Sequence, residues 1–225
     1  MKKIAIITAR GNSKGVHRKN LRKIGDDSLI AITFKAAVTS NIFDSIIISS
    51  DDDEILIHAK LLGADIVRRP SSLSQDDSKS IDAVLHVLET MEIIQGEVTL
   101  LQPTSPFRTS EDIINAHYKF DISSVNSIIS VCEMNDHPYK SFIVQNSRVF
   151  PVRDFNDMES PRQQLPLAVK PNGAIYIVSI AECIEQKTFF AKPFQFYQMS
   201  KEASLDIDTE FDLDFANYIH SRRIS

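Results

Sequence analysis

Tryptophan is absent from this 225-residue chain, and cysteine occurs only twice. Cys132 and Cys183 lie far apart in apolar surroundings, which fits free buried thiols better than a disulfide or a metal site. The six histidines show no paired ligand spacing. No apolar run approaches the length of a membrane span, and Met1-Lys2-Lys3 passes directly into a strand pattern with no cleavage signal. A cytoplasmic protein without membrane partners is therefore expected. A basic excess is missing as well: 25 lysines and arginines face 30 aspartates and glutamates, a net charge of -5, which argues against general nucleic-acid binding. With 43% hydrophobic residues the chain can still bury a core, and its length suits a single domain, residues 1–225.

Because only six glycines are present, two within one short loop, Gly11 and Gly15, carry information. They follow Ile4-Ala5-Ile6-Ile7, a β-branched run that reads as a central strand buried on both faces. Between Arg10 and Lys23 come Arg10, Lys14, Arg18, Lys19, Arg22 and Lys23, with no acid before Asp26. In an acidic chain that local inversion of sign points to an anionic ligand. A glycine-containing loop after a buried strand exposes backbone N–H groups suited to phosphates, and Asn12 tolerates the left-handed conformations such loops use. The common phosphate signatures do not fit. Gly15-Val16-His17 lacks the Lys-Ser/Thr of a P-loop, and two glycines are one too few for the dinucleotide fingerprint.

This stretch resembles the opening R-G-G-S-K-G-x-P-x-K-N of the bacterial CMP-sialic acid synthetases, the N-acylneuraminate cytidylyltransferases. Arg10, Gly11, Ser13, Lys14, Gly15, Lys19 and Asn20 match. Asn12 stands where Gly is commoner and His17 where Pro is usual, which keeps every charge but leaves the loop less rigid. The resemblance implies nucleotide binding by Arg10, Gly11, Asn12, Ser13, Lys14, Lys19 and Asn20.

Further along, strand and helix patterns alternate: strands at 45–50, 64–68, 98–101 and 127–131, helices at 29–40, 51–63, 80–91 and 110–120. Asp51 to Glu54 read as carboxylates at a helix start rather than a metal site, and Thr109 with Asp112 as a capping box. Repeated βα units imply an α/β fold of three layers, a mostly parallel sheet with helices on both faces and ligands beyond the carboxyl ends of the strands. The resemblance narrows this to a Rossmann-like nucleotidyltransferase fold with a small dimerisation hairpin, residues 137–157. That hairpin reads as two antiparallel strands, 137–144 and 148–150, around Asn146-Ser147.

The loops after the strands are polar. Arg69 to Ser80 is too long for a mere turn; in the resembled family Arg69, Ser78 and Ser80 contact the cytidine, while Ser78 or Ser80 also suits a plain helix cap. Leu101 to Arg108 looks like the family's L-Q-P-T-S-P-x-R, with two prolines fixing a path that presents Gln102, Thr104 and Ser105, polar side chains suited to sugar recognition. Ser160-Pro161-Arg162-Gln163-Gln164-Leu165-Pro166 and Asn172-Gly173-Ala174-Ile175-Tyr176-Ile177 match two further family motifs. By resemblance, Lys140 and Arg162 bind the sugar carboxylate, Asn172 and Tyr176 line the sugar pocket, and Phe189 and Phe190 reach the partner subunit's sugar.

Near the end of the chain Ser204-Leu205-Asp206-Ile207-Asp208-Thr209-Glu210 resembles the family's D-I-D-T-E. Alternate residues of an extended segment point the same way, so Asp206 and Asp208 can offer two hard oxygen donors to Mg²⁺. Asp208 or Thr209 could equally cap the final helix, 210–221. The implied reaction is transfer of CMP from CTP to the anomeric hydroxyl of a sialic acid, with Arg10, Lys19, Arg162 and Asp208 as its charged machinery, in a homodimer whose arm completes the partner's site. The alternatives are another nonulosonic acid, legionaminic or pseudaminic, as acceptor, or a GT-A-like glycosyltransferase. No residue stands out as a general base.

Overall fold

The structure is a computed structural model that describes residues 1–224. The chain opens with β1 (Lys3–Thr8), whose Ile4 to Ile7 have no exposed surface, as expected for a strand covered on both faces. A small ribbon, β2 (Lys23–Ile24) and β3 (Asp27–Ser28), leads into α1 (Leu29–Ser40), which Ser28 caps by accepting from the N–H of Ala31. The alternation continues through β4 (Ser45–Ser50), α2 (Asp53–Leu62), β5 (Asp65–Arg68), α3 (Ser80–Thr90), β6 (Glu97–Leu101), α4 (Ser110–Ser123) and β7 (Ser127–Glu133). Asp52 caps α2 through the N–H groups of Glu54 and Ile55, and Gly63 ends it at φ 90°. The capping box of Thr109 and Asp112 starts α4. The second half comprises β8 (Phe142–Gln145), β9 (Arg148–Pro151), α5 (Phe155–Glu159), β10 (Val169–Ser179), α6 (Ile180–Gln186), β11 (Phe194–Gln198) and α7 (Glu210–Ile224).

Seven strands form one sheet in the order β11-β7-β10-β6-β1-β4-β5. β1 lies parallel to both β4 and β6, and only β10 runs antiparallel, wedged between β6 and β7. One face packs Ile7 and Ile48 against Ile30 and Phe34 of α1 and Ile113 of α4. The other packs Ile6 and Ile47 against Val84 and Leu88 of α3 and Cys183 of α6. Each such side chain contributes roughly 1.5–3 kcal/mol when removed from water, so the three layers account for most of the stabilisation. Both cysteines are free and buried, and no helix among the described residues is long and apolar enough to cross a membrane.

A third, smaller cluster positions the site. Val16 from the basic loop, Ile24, Leu29, Phe107 and Ile207 pack with Leu213 and Ala216 of α7, so the two ends of the chain share one core. Two details differ from expectation. Residues 137–141 are not strand: Pro138–Lys140 form a 3-10 turn held by the His137 ring accepting from the N–H of Tyr139, and pairing begins at Phe142. Proline at the first position of a tight helix suits its fixed φ and missing N–H better than a ladder does. At α3, Lys79 occupies the cap position and no side chain caps it; the Ser78 hydroxyl instead accepts from the N–H of Gln75 and donates to the carbonyl of Ser72.

Candidate active site

The parallel strands end at a cleft of about 290 Å³ walled by the basic loop, the 69–80 loop, the 102–104 segment and the tail carboxylates. β1 delivers Thr8 and Arg10 to its floor, and three interactions shape the loop that follows. The Asn20 amide, buried, donates to the carbonyl of Arg10 at 2.9 Å; the N–H of Gly11 donates to Asp51 Oδ1 at 3.1 Å; and Val16 anchors in the third core cluster. Gly11 is required because a Cβ there would lie 2.7 Å from Asp52 Oδ2. The acidic start of α2 thus does more than cap a helix, since Asp51 ties the basic loop to the strand beside it.

The tail carboxylates meet this loop. Lys19 Nζ donates to the carbonyl of Ile207 at 2.6 Å and to Asp208 Oδ1 at 3.0 Å. On its other side the Ile207 N–H donates to the carbonyl of Thr104 at 2.8 Å. Pinned from both directions, Ile207 turns its side chain into the core while Asp206 and Asp208 face the cleft, the alternation an extended segment dictates. Capping of α7 falls to Thr209, which exchanges hydrogen bonds with Asp212, so the Asp208 carboxylate stays available to the cleft. Arg22 adds a bidentate pair to Glu210 at 2.7 and 2.9 Å.

Asp206 faces solvent within the cleft, yet the surrounding walls raise its carboxyl above the usual range, opposed by a hydrogen bond from Thr104 and reinforced by the charge of Asp208. Tyr176 is likewise raised, by burial first and by Asp206 second. Two crowded carboxylates with one lysine nearby form a donor set that suits a small divalent cation. Among the described residues no group of three or more His, Cys, Asp or Glu could hold a metal, so any cation here would rest on these two carboxylates with its other ligands from outside the protein.

Of the nucleotide-binding residues expected from sequence, Arg10, Ser13, Lys19, Asn20, Arg69, Ser78 and Ser80 line the cleft. Arg69 is buried, donates to Ser74 Oγ at 2.8 Å, and is lowered from the usual arginine range by burial. Gly11 shapes the loop from behind, Asn12 is exposed outside the wall, and Lys14 reaches across to Asp76 at 2.6 Å. Gln102 and Thr104 line the cleft, and Gly173 leaves room for Gln102, whose Oε1 would lie 2.7 Å from any added Cβ.

A second pocket of about 270 Å³ adjoins the first, sharing Lys79, Ser80 and Gln102, with Tyr176, Phe189 and Phe190 as its aromatic wall. Two residues expected at the sugar face elsewhere, a correction. Ser105 is fully buried beneath its loop, and Asn172 is spent inside, donating to Ser204 Oγ and accepting from the N–H of Ala174. Lys140 and Arg162 lie outside the cleft, the first donating to the carbonyl of Met158 and the second to the carbonyl of Met134 and to Glu133. Gln75, Asp76 and Lys79 line the cleft without having been singled out, because a run of short polar residues offers no pattern that separates ligand contacts from loop. Arg108 is buried behind the cleft: it donates to the carbonyls of Gln102 and Ala174, bracing the 102–104 segment, and burial pushes it down to about 10.

The fold is shared with CMP:2-keto-3-deoxy-manno-octonic acid synthetase complexed with CTP, at TM-score 0.75 and 15% identity over 99% of this chain and all of that one. It is shared also with 4-diphosphocytidyl-2C-methyl-D-erythritol synthase from Anaerococcus prevotii, at TM-score 0.68 and 14% identity over 98% of each. In sequence, the chain is 33% identical to the N-acylneuraminate cytidylyltransferase of Escherichia coli O18:K1:H7 over 98% of its own length and 52% of the relative's, so it spans about half of that protein. It is 34% identical to the CMP-N,N'-diacetyllegionaminic acid synthase of Legionella pneumophila over 94% of this chain and 93% of that one. A cytidylyltransferase family profile matches residues 4–214, from the first strand to α7, and the chain therefore belongs to the cytidylyltransferase family.

Proposed function

We propose that the protein transfers CMP from CTP to the anomeric hydroxyl of a sialic acid, N-acetylneuraminate, and releases pyrophosphate. The observation that carries this reading is the junction of Lys19 with Asp208 and the Ile207 carbonyl, which brings the basic loop and both tail carboxylates to one cleft. Arg10, Lys14 and Lys19 would balance the triphosphate and the departing pyrophosphate; Arg69, Ser78 and Ser80 would hold the nucleoside. Asp206 and Asp208 would hold Mg²⁺, whose chemistry is to offset charge on the α-phosphate. The acceptor would enter over Gln102, Thr104 and Tyr176, beside this chain's own Phe189 and Phe190, which the resemblance implied for the partner's sugar instead.

A homodimer is part of the proposal, with residues 137–157 as an arm reaching the partner. All four residues of β8 are exposed, Phe142 and Val144 among them, as is Phe150 in β9, an apolar display that suits a protein surface. Lys140 lies within that arm and Arg162 follows it in sequence, both outside their own chain's cleft, which supports their meeting the acceptor carboxylate across the dimer.

A second reading keeps the chemistry and changes the acceptor to legionaminic or pseudaminic acid. Identity to relatives named for those acids, 34% and 30%, is close to that for N-acylneuraminate, 33%. Pyrophosphate release from CTP in the presence of each acid tests both. Turnover with N-acetylneuraminate at least tenfold above the others supports the first reading, a reversed order supports the second, and release with none of them overturns both.

A further inference from the structure

Asp76 was not part of the nucleotide machinery just described, yet it touches two members of it. Its Oδ1 accepts from Arg10 NH1 at 2.9 Å and its Oδ2 from Lys14 Nζ at 2.6 Å, while Arg10 NH1 also donates to the carbonyl of Gln75 at 3.2 Å. One carboxylate therefore bridges two cations from the cleft side, with a separate oxygen for each, much as the oxygens of a phosphate group would. Asp76 stands on the exposed 71–79 loop, whereas Arg10 is fixed by the Asn20 brace on its carbonyl and by its place at the end of β1.

We infer that Asp76 is a built-in competitor for the phosphate site, a carboxylate that holds Arg10 and Lys14 in the absence of nucleotide and must leave them when CTP binds. The inference rests on the reading of Arg10 and Lys14 as phosphate ligands. A triphosphate and Asp76 cannot share these donors without placing like charges side by side, which costs free energy in proportion to their closeness. Affinity for CTP is then lowered by the strength of the internal pair, and pyrophosphate, which uses the same donors, is helped to leave. The Lys14 hydrogen bond, with the Arg10 charge, keeps Asp76 below the usual carboxylate range, so it remains an anion throughout the neutral range.

Asp77 supplies an internal control. It is exposed, next in sequence and of equal charge, and none of the hydrogen bonds or ion pairs at the cleft involves its side chain. The test is titration calorimetry of CTP and of inorganic pyrophosphate with the wild-type protein, Asp76→Asn, Asp76→Ala and Asp77→Asn. For two exposed ion pairs, both Asp76 variants should bind each ligand roughly three- to tenfold more tightly, with Asp77→Asn within about twofold of wild type. In turnover the KM for CTP should fall while pyrophosphate inhibits more strongly.

Unchanged affinity in the Asp76 variants, or an equal gain in Asp77→Asn, overturns the inference, since the effect would then be absent or merely net charge. Weaker binding overturns it too, because a residue that only shapes the 71–79 loop would act in that direction. Failure of the wild-type protein to bind CTP overturns the underlying reading and this inference with it.

Discussion

The carbonyl oxygen of Asp208 lies 1.9 Å from where a Cβ on Gly15 would be, so the basic loop and the carboxylate segment are in backbone contact at a point that admits no side chain. The blocking atoms are backbone, and the adjoining Val16 and Ile207 are buried, so neither segment can shift freely. Gly15→Ala should force the segments apart, at about 1–3 kcal/mol of stability by analogy with overpacked cores. Because Val16 and Ile207 anchor the two segments in one cluster, CTP turnover should fall together with the melting temperature. A variant of unchanged melting temperature and turnover would show that the contact has no such role.

Asp208→Ala removes the partner of Lys19 and, in the proposed function, a metal ligand. At an effective dielectric of about 20, one charge at about 4 Å is worth roughly 4 kcal/mol, so pyrophosphate release should drop at least about a hundredfold. Chelation of divalent ions should abolish turnover of the wild-type protein and restore nothing in the variant. Near-native rates of Asp208→Ala in saturating Mg²⁺ would contradict the assignment.

Asp206 makes the opposite case for stability. Desolvation and the neighbouring Asp208 raise its pKa in the folded protein above the usual 3.8, so the native state holds this proton more tightly than the unfolded chain does. The stability it contributes is present below that value and is lost as pH rises through the folded pKa. At pH 7 Asp206→Asn should therefore melt slightly higher than wild type, by about 1–3 °C given its openness to solvent, while losing turnover. The difference should vanish below pH 4. A lower melting temperature at pH 7 would mean that its hydrogen bond from Thr104 outweighs the charge crowding.

Arg162→Ala should raise the KM for the nine-carbon acid by about tenfold or more and leave that for CTP nearly unchanged, as expected for loss of a guanidinium–carboxylate pair. Equal effects on both substrates would remove Arg162 from acceptor recognition.

If Arg162 acts across subunits, mixing Arg162→Ala with Asp208→Ala protein should restore activity at acceptor concentrations well below the raised KM, where Arg162→Ala alone is slow. Each mixed dimer would then hold one intact site, giving about a quarter of wild-type activity at equal mixing. No recovery would place both residues in the same chain's site.

The strands and loops were legible because their signals are local. Ile4 to Ile7 and Ser45 to Ser50 read as buried strands, Thr109 with Asp112 as a cap, and all three were found so. The direction of β10 was not legible, since Ala174 to Val178 would look the same whether parallel or antiparallel; only its neighbours β6 and β7 decide. Asn172 was misplaced for a related reason. A polar side chain in a motif can serve a ligand or satisfy buried polar neighbours, and Asn172 does the second by bonding to Ser204 and the N–H of Ala174. Asp51 was read only as part of a helix start and Asp76 was not singled out, because their partners, Gly11, Arg10 and Lys14, lie at least 40 residues away in sequence.

The small cluster in which Val16 packs with Ile207 and Leu213 makes the first and last segments of the chain a single cooperative unit. Amide exchange in the basic loop and at the start of α7 should accordingly proceed through the same opening, and cutting the chain before Ile207 should loosen that loop nearly two hundred residues upstream.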